Sequence, residues 1–335
     1  MKHGANIYKY AKEIDCSSDE IIDFSSNINS YHPKIDITLT NNMLVKYADT
    51  NYTNLKKIIS KKNKIKKTQM ALYNGATSAI FELLRNLDSS RVYLYAPLYG
   101  EYEKAVNKNT KIIKINRFEN LYKKVKKGST VVFVNPSTPD GKFYNLERLF
   151  GMWKKQDCKV LIDESFLEFQ NKQSLINQIY EYDKIWIIKS FTKFYSCPGI
   201  RIGAIFSNKK NIKALKTPLW NLSSFDVKFL SSRLQDLDFK KRSKKLHKIH
   251  KKQLLKTLKK SKLFDEIYES DSNFILTKSK RAKEIFEHLL SKKILVRTCG
   301  SFDFLNDDFL RFAVKDSYSH NKLTKALKSY NIKYL

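Results

Sequence analysis

KIWIIKSFTKFYSCPGIRIG, residues 184–203, decides how this chain is read. It opens with an apolar run, Ile185 to Ile188, bounded by lysines, which is the signature of a short strand covered on both faces. Directly after that run come two hydroxyls, Ser190 and Thr192, and then Lys193. Arg201 lies eight residues further on, just before Gly203. An amine beside hydroxyls and a guanidinium is what a phosphorylated aldehyde requires: the amine forms a Schiff base, and the other groups hold the phosphate. Alone, a lysine after a strand is more often a solvated surface residue, so the decision rests on the rest of the chain.

Working outward, similar apolar runs occur at Ala71–Tyr73, Val92–Tyr95, Ile112–Ile115, Val131–Val134, Val160–Ile162 and Ile202–Phe206. Amphipathic or polar stretches of helix length separate several of them. Strands apolar on both faces, alternating with helices, predict an α/β fold: a mostly parallel sheet of seven strands with helices on both sides. In such sheets ligands sit beyond the carboxyl ends of the strands. The candidate residues fall there. Asn74-Gly75-Ala76-Thr77 follows one run and opens a helix read from Ser78 to Leu84, Asn135-Pro136 and Asp163-Glu164 follow two others, and Ser190 to Lys193 follows a fourth. After Pro218 the pattern changes to long basic helices with short strands at Asn273–Thr277, Ile294–Thr298 and Phe309–Val314. The expected division is a strand-poor arm (1–40) packing on the small domain or on a partner subunit, a large domain (41–217) and a smaller α+β domain (218–335).

The chain has 335 residues, of which 42% are apolar, as in a globular protein. No apolar run approaches the roughly 20 residues that span a bilayer, and the start MKHGANIYKY has no apolar core of a signal peptide. Cys16, Cys158, Cys197 and Cys299 show no CxxC spacing, so neither a metal site nor a disulfide framework is expected, and the cytoplasm is the simplest home. The formal charge of +31 raises a nucleic-acid reading. The densest basic run, Lys240 to Lys262, carries Leu246, Ile249, Leu254, Leu255 and Leu258 at helical spacing, which predicts an amphipathic helix with a solvated basic face. Lysine is scattered through every segment rather than gathered in one stripe. A nucleic-acid-binding protein on an enzyme-like scaffold therefore remains the remote alternative, and a field that draws in anionic substrates is the simpler consequence.

A pyridine aldehyde phosphate makes further demands. Its ring nitrogen stays protonated opposite a buried carboxylate, for which Asp163 at a strand end is the candidate. Its phosphate needs backbone N–H groups at a helix N-terminus, which Gly75, Ala76 and Thr77 offer. One ring face needs an aromatic cover, and Tyr99 of APLYGEY (96–102) follows a strand where it could stack.

These parts, in this order, resemble the fold-type-I pyridoxal-phosphate enzymes of the class I/II aminotransferase family, in the branch holding histidinol-phosphate aminotransferase and threonine-phosphate decarboxylase. The resemblance runs over nearly the whole chain and is carried by YADTNYTNL (47–55), NGATSAIF (74–81), APLYGEY (96–102), NPSTPDG (135–141), LIDESFLEF (161–169), SFTKFYSCPGIRIG (190–203), and ILVRTC (294–299) with FLRFAVK (309–315). It implies an aspartate-aminotransferase-like fold with pyridoxal 5'-phosphate as cofactor. Lys193 would carry the internal aldimine and shuttle protons, and Asp163 would face the pyridinium. Ala76, Thr77, Ser190, Thr192 and Arg201 would hold the cofactor phosphate, joined by Tyr47 reaching a neighbouring subunit, which makes a homodimer the expected active unit. Arg311 looks like the substrate-carboxylate arginine. Arg297 and His3 stand where decarboxylase-like members engage a substrate phosphate, and Asn27 lies in the IIDFSSNIN segment (21–29) that, with His3-Gly4-Ala5-Asn6, is similar to the decarboxylase arm. Three positions depart from the family pattern. Thr138 replaces the asparagine that contacts the cofactor's ring oxygen, Phe166 replaces a common tyrosine, and Tyr73 replaces the first glycine of a GNG-like turn. The expected activity is decarboxylation of an O-phospho-L-amino acid (L-threonine phosphate or L-serine phosphate). The alternative is an aminotransferase for histidinol phosphate or dihydroxyacetone phosphate.

Overall fold

The computed structural model describes residues 6–34 and 37–334. All seven apolar runs are strands of one sheet: β2 (Met70–Asn74), β3 (Arg91–Ala96), β4 (Lys111–Asn116), β5 (Thr130–Val134), β6 (Lys159–Asp163), β7 (Ile185–Ser190) and β8 (Ile202–Phe206), in the order β2-β8-β7-β6-β5-β3-β4. The numbering starts from β1 (Ile22–Asp23), a two-residue strand in the arm. The pairs β3–β4, β3–β5, β5–β6 and β6–β7 are parallel, while β8 runs antiparallel to both β2 and β7. Strands β3, β5, β6 and β8 are buried almost end to end because apolar layers cover both faces. One layer centres on Phe133, Trp153, Ile162 and Ile187, the other on Ile80, Leu83, Tyr102 and Ile188.

The reversal of β8 positions the site. With Asn74 opposite Ile202 and Ser190 opposite Gly203, the start of β8 lies at the same sheet edge as the ends of β2 and β7. Arg201 is thereby delivered to the edge that carries Gly75 and Ser190, although in a parallel strand it would sit at the far end.

The smaller unit is a four-stranded antiparallel sheet, β12-β13-β10-β9, of β9 (Glu266–Ile267), β10 (Phe274–Lys278), β12 (Arg297–Thr298) and β13 (Phe309–Ala313). Three details differ from the sequence reading. Residues 294–298 form two short strands, β11 (Ile294–Leu295) and β12, instead of one, and β11 pairs in parallel with β1. The arm is thus tied to the small unit by backbone hydrogen bonds, with Phe24 inside its core. The expected boundary at 217 does not separate the cores, since Leu222, Phe229, Leu230, Leu234 and Phe239 pack with the large-sheet layer. The long basic helix, Leu237–Ser261, buries Phe239, Ser243, His247, His250, Leu254 and Leu258, whereas Ile249 is exposed. Its first turns face the aromatic wall of Phe169 and Phe194, where flat rings such as His247 and Phe239 fit. Of the proposed stripe, Leu254 and Leu258 are buried and Leu255 packs on the core, Leu246 is half-buried, and Ile249 alone is turned out. Among the described residues no helix is long and apolar enough to cross a membrane.

Candidate active site

At the edge shared by β2, β7 and β8, the helix Gly75–Asn86 starts one turn earlier than the sequence suggested. Gly75 adopts a φ of +79°, a left-handed conformation that glycine takes without Cβ strain, and its N–H donates to the Arg201 carbonyl at 3.1 Å. A Cβ on Gly203 would stand 2.4 Å from the Ala76 nitrogen, so the helix start rests directly on glycine backbone. Ala76 and Thr77 of this first turn line the cavity with the Ser190 and Thr192 hydroxyls, which lie 3.0 Å apart, and with Arg201, whereas the expected phosphate donor Gly75 has its N–H committed to the Arg201 carbonyl and does not line it. Orphan helix N–H groups, two hydroxyls and a guanidinium form an anion cradle.

Asp163, at the end of β6, is buried. Its Oδ1 accepts the Ser165 N–H at 2.8 Å and its Oδ2 accepts the Tyr102 hydroxyl at 2.7 Å. Tyr102 is fully buried, and burial together with the Asp163 charge pushes its phenol far above the usual range, so it stays a donor. Sequence reading missed this role, although Tyr102 lies within APLYGEY; its position three residues after Tyr99, on the short helix Glu101–Ala105, was the available signal.

Lys193 follows β7 and lines the same cavity of about 360 Å³, with its ammonium nitrogen 5.3 Å from the centre of the Phe166 ring. Burial pushes its pKa below the ordinary lysine range. Asp163 pulls the other way, and Arg201 and Arg311 add to the lowering. Tyr99 lines the cavity and is about one-third exposed.

The opposite wall comes from the small unit and the arm. Arg311 on β13 is buried, donating from Nη1 to Thr138 Oγ1 and from Nη2 to the Ser25 carbonyl, both at 3.0 Å. Its Nε has no partner, and burial pushes its pKa down to about 10. Two uncharged oxygens and the Phe274 ring, whose centre lies 5.0 Å away, hold this guanidinium, which leaves it short of an anion. Arg297 on β12 is buried in the same cavity, donating to Ser301 Oγ at 2.8 Å with its guanidinium 5.2 Å from the Phe302 ring centre. Asn27 also lines the cavity, and its buried Oδ1 is without a partner.

Three residues stand apart. The Thr138 hydroxyl accepts from Arg311, so it belongs to the arginine wall as well as lining the cavity. Tyr47, expected to reach a neighbouring subunit, lies outside this chain's own cavity, 79% exposed and stacked on Trp220 at 4.4 Å. Tyr73 points into the sheet's apolar layer rather than forming a turn. His3 lies outside the described residues.

The donor set fits pyridoxal phosphate. The anion cradle suits its phosphate, the Asp163 carboxylate a protonated ring nitrogen, Lys193 its aldehyde and Tyr99 its ring face. A site of this kind at the strand ends of this fold is that of a fold-type-I pyridoxal-phosphate enzyme. Residues 4–329 match the model of the family "Aminotransferase class I and II", and the chain belongs to that family, with pyridoxal 5'-phosphate as its cofactor. It is similar to the adenosylcobalamin biosynthesis bifunctional protein CobDQ of Leptospira interrogans (30% identical, covering 98% of this chain and 41% of the relative), so it spans less than half of that relative's length. It is also similar to a histidinol-phosphate aminotransferase of Flavobacterium johnsoniae (25% identical, 95% and 92% covered) and to the threonine-phosphate decarboxylase of Salmonella typhimurium (22% identical, 98% and 96% covered). Among solved structures, the histidinol-phosphate aminotransferase of Clostridium acetobutylicum superposes with a TM-score of 0.80 at 27% identity over 92% of this chain and 99% of that one.

Proposed function

We propose that this enzyme removes CO2 from an O-phospho-L-amino acid, L-threonine phosphate or L-serine phosphate, leaving an amino-alcohol phosphate. The observation that carries this reading is the pair of buried arginines, Arg297 and Arg311, on the wall facing Lys193. A substrate bearing both a carboxylate and a phosphate occupies both. Histidinol phosphate carries no carboxylate and leaves one of them without an anion. The relatives named for adenosylcobalamin biosynthesis and for threonine-phosphate decarboxylation support the same choice.

Bound pyridoxal phosphate supplies the electron sink that makes a bond to the substrate's Cα breakable. This chain's residues decide which bond. Arg311 would grip the α-carboxylate and Arg297 the substrate phosphate, with planar forks suited to both anions. The two anchor points together would set the outcome: a pose that presents the Cα–carboxylate bond would lose CO2, and one that presents the Cα–H bond would lose the hydrogen. Lys193 lines the same cavity, burial pushes its pKa below the ordinary lysine range, and its ammonium would deliver the proton that returns to Cα. Asp163, fixed by Tyr102 and Ser165, would stand opposite the ring nitrogen.

The second reading, an aminotransferase of a phosphorylated substrate such as histidinol phosphate or dihydroxyacetone phosphate, is favoured by the Clostridium acetobutylicum likeness. A product mass spectrum separates the two. The holoenzyme is incubated with O-phospho-L-threonine or O-phospho-L-serine and no 2-oxo acid. A product lighter by CO2 is expected; a strict need for an amino donor and acceptor pair would sink the decarboxylase reading. A homodimer belongs to the same proposal. The exposed Leu44, Val45, Tyr47, Leu219 and Trp220 give an apolar surface of the kind that partners cover. Light scattering should return twice the chain mass.

A further inference from the structure

Outside the Lys193 cavity, bordering a second cavity with Phe118, Tyr144 and Tyr268, sits the buried ion pair of Arg117 and Asp140, whose side chains are 1% and 3% exposed and whose closest atoms are 2.5 Å apart. Neither residue lines the Lys193 cavity. Arg117 follows β4, a strand that supplies nothing to the site itself. Its Nη1 donates to the carbonyls of Pro97 and Tyr95, the latter at 3.3 Å, and its Nη2 donates to the Thr138 carbonyl at 3.1 Å as well as to Asp140. Asp140 is in turn held by the Ser137 hydroxyl at 2.6 Å and the Tyr144 hydroxyl at 3.2 Å. One guanidinium thus joins the segment leading into Tyr99 to the loop whose Thr138 hydroxyl accepts from Arg311.

We propose that Arg117 is a positioning residue for substrate-carboxylate recognition, acting through Thr138 to place Arg311. This rests on the reading of Arg311 as the carboxylate receptor. The fork geometry is essential to it. Two nitrogens of one rigid plane span carbonyls on two loops while a carboxylate neutralises the charge, which a lysine, a point charge on a flexible stem, does not reproduce. A displaced Thr138 withdraws one of the two oxygens that orient Arg311, and a small misplacement of an orienting group is costly in binding and rate.

The test is a stopped-flow titration of the pyridoxal-phosphate-loaded protein, read from the cofactor's absorption band before turnover, with O-phospho-L-serine and with O-phosphoethanolamine, the same molecule without its carboxylate. Wild type should prefer O-phospho-L-serine. In Arg117→Lys the affinity for O-phospho-L-serine should fall about tenfold, equivalent to ~1.4 kcal/mol, while that for O-phosphoethanolamine stays within about twofold. In a Thr138→Val background the same Arg117→Lys change should have little further effect on the O-phospho-L-serine affinity, since the link to Arg311 is already cut. Equal weakening of both ligands, or of neither, would overturn the proposal. A wild type without preference for the carboxylate would overturn the Arg311 reading and this proposal together, an outcome distinct from a preference that Arg117→Lys leaves intact. If Arg117→Lys fails to fold, Asp140→Asn keeps the fork and removes its charge partner. The same selective loss is expected at smaller size, and a loss shared by both ligands refutes the proposal.

Discussion

The two walls of the cavity are built in different ways. The cradle wall, at the strand ends of the large sheet, takes its groups from short contiguous motifs, and much of it is backbone: the first turn of the helix at Gly75, the close approach to Gly203, and Asp163 pinned by Ser165 two residues on. The arginine wall is assembled from afar. Arg311 is held by Ser25, 286 positions away, and Thr138, 173 positions away, and both partners are neutral oxygens. The cradle is preorganised for a cofactor that is the same in every turnover. On the proposed reading, the wall's long side chains would select the substrate and steer the bond to be broken.

This contrast can be broken in several places, and the largest effect belongs to the cradle. Lys193→Ala should lower turnover of every substrate by ~10⁴-fold or more, since both the covalent attachment point and the proton carrier are lost. Residual activity near wild type in a product assay would remove Lys193 from the chemistry. On the other wall, Arg311→Ala should weaken only carboxylate-bearing ligands, by about 3 kcal/mol, seen as a raised KM with the cofactor band intact. An unchanged KM would contradict its role.

The core of the small unit, which carries the arginine wall, should be the acid-sensitive part. His320 is buried on the small unit, its Nε2 accepting the Lys315 N–H at 3.2 Å, with His250, Asp316 and Lys315 as charged or titratable neighbours. Burial first, and His250 beyond the reach of Asp316's opposite pull, push its pKa from 6.5 down to about 4. The unfolded imidazole takes up a proton as pH falls through about 6.5, and the folded one does so only near 4. The stabilising difference is therefore complete above pH 6.5 and lost toward pH 4, on the order of 3 kcal/mol. His320→Asn should flatten the stability profile between pH 4 and about 6.5 in chemical denaturation; an unchanged slope would show that other groups carry the acid loss. Back on the cradle side, Tyr102→Phe removes one hydrogen bond to a buried carboxylate, worth about 2 kcal/mol. Cofactor affinity should fall for the enzyme with any substrate. A loss confined to one substrate would erase the distinction between the two walls.

The cradle was legible in the sequence because its parts are local: a strand, a glycine, a helix start, and a hydroxyl or carboxylate at a strand end, each recognisable within a few residues. Arg297 and Arg311 were found only through their resemblance to family motifs, since an arginine in an alternating strand has no local mark of what it faces. Tyr102 and Arg117 escaped notice for the same reason: burial of a polar group is defined by what packs around it.

By itself the sequence determined the seven-stranded α/β sheet and the lysine after its strand, because hydrophobic periodicity and short-range turn chemistry act along the chain; the cofactor and the family followed from the resemblance of its motifs. Tertiary structure alone decided that β8 runs backwards and so brings Arg201 to the cradle, and that the long helix turns His247 rather than Ile249 inward. It also decided that Thr138 serves Arg311. These outcomes depend on strand direction, on the shape of an aromatic wall and on a hydrogen bond across 173 positions, none of which any single segment encodes.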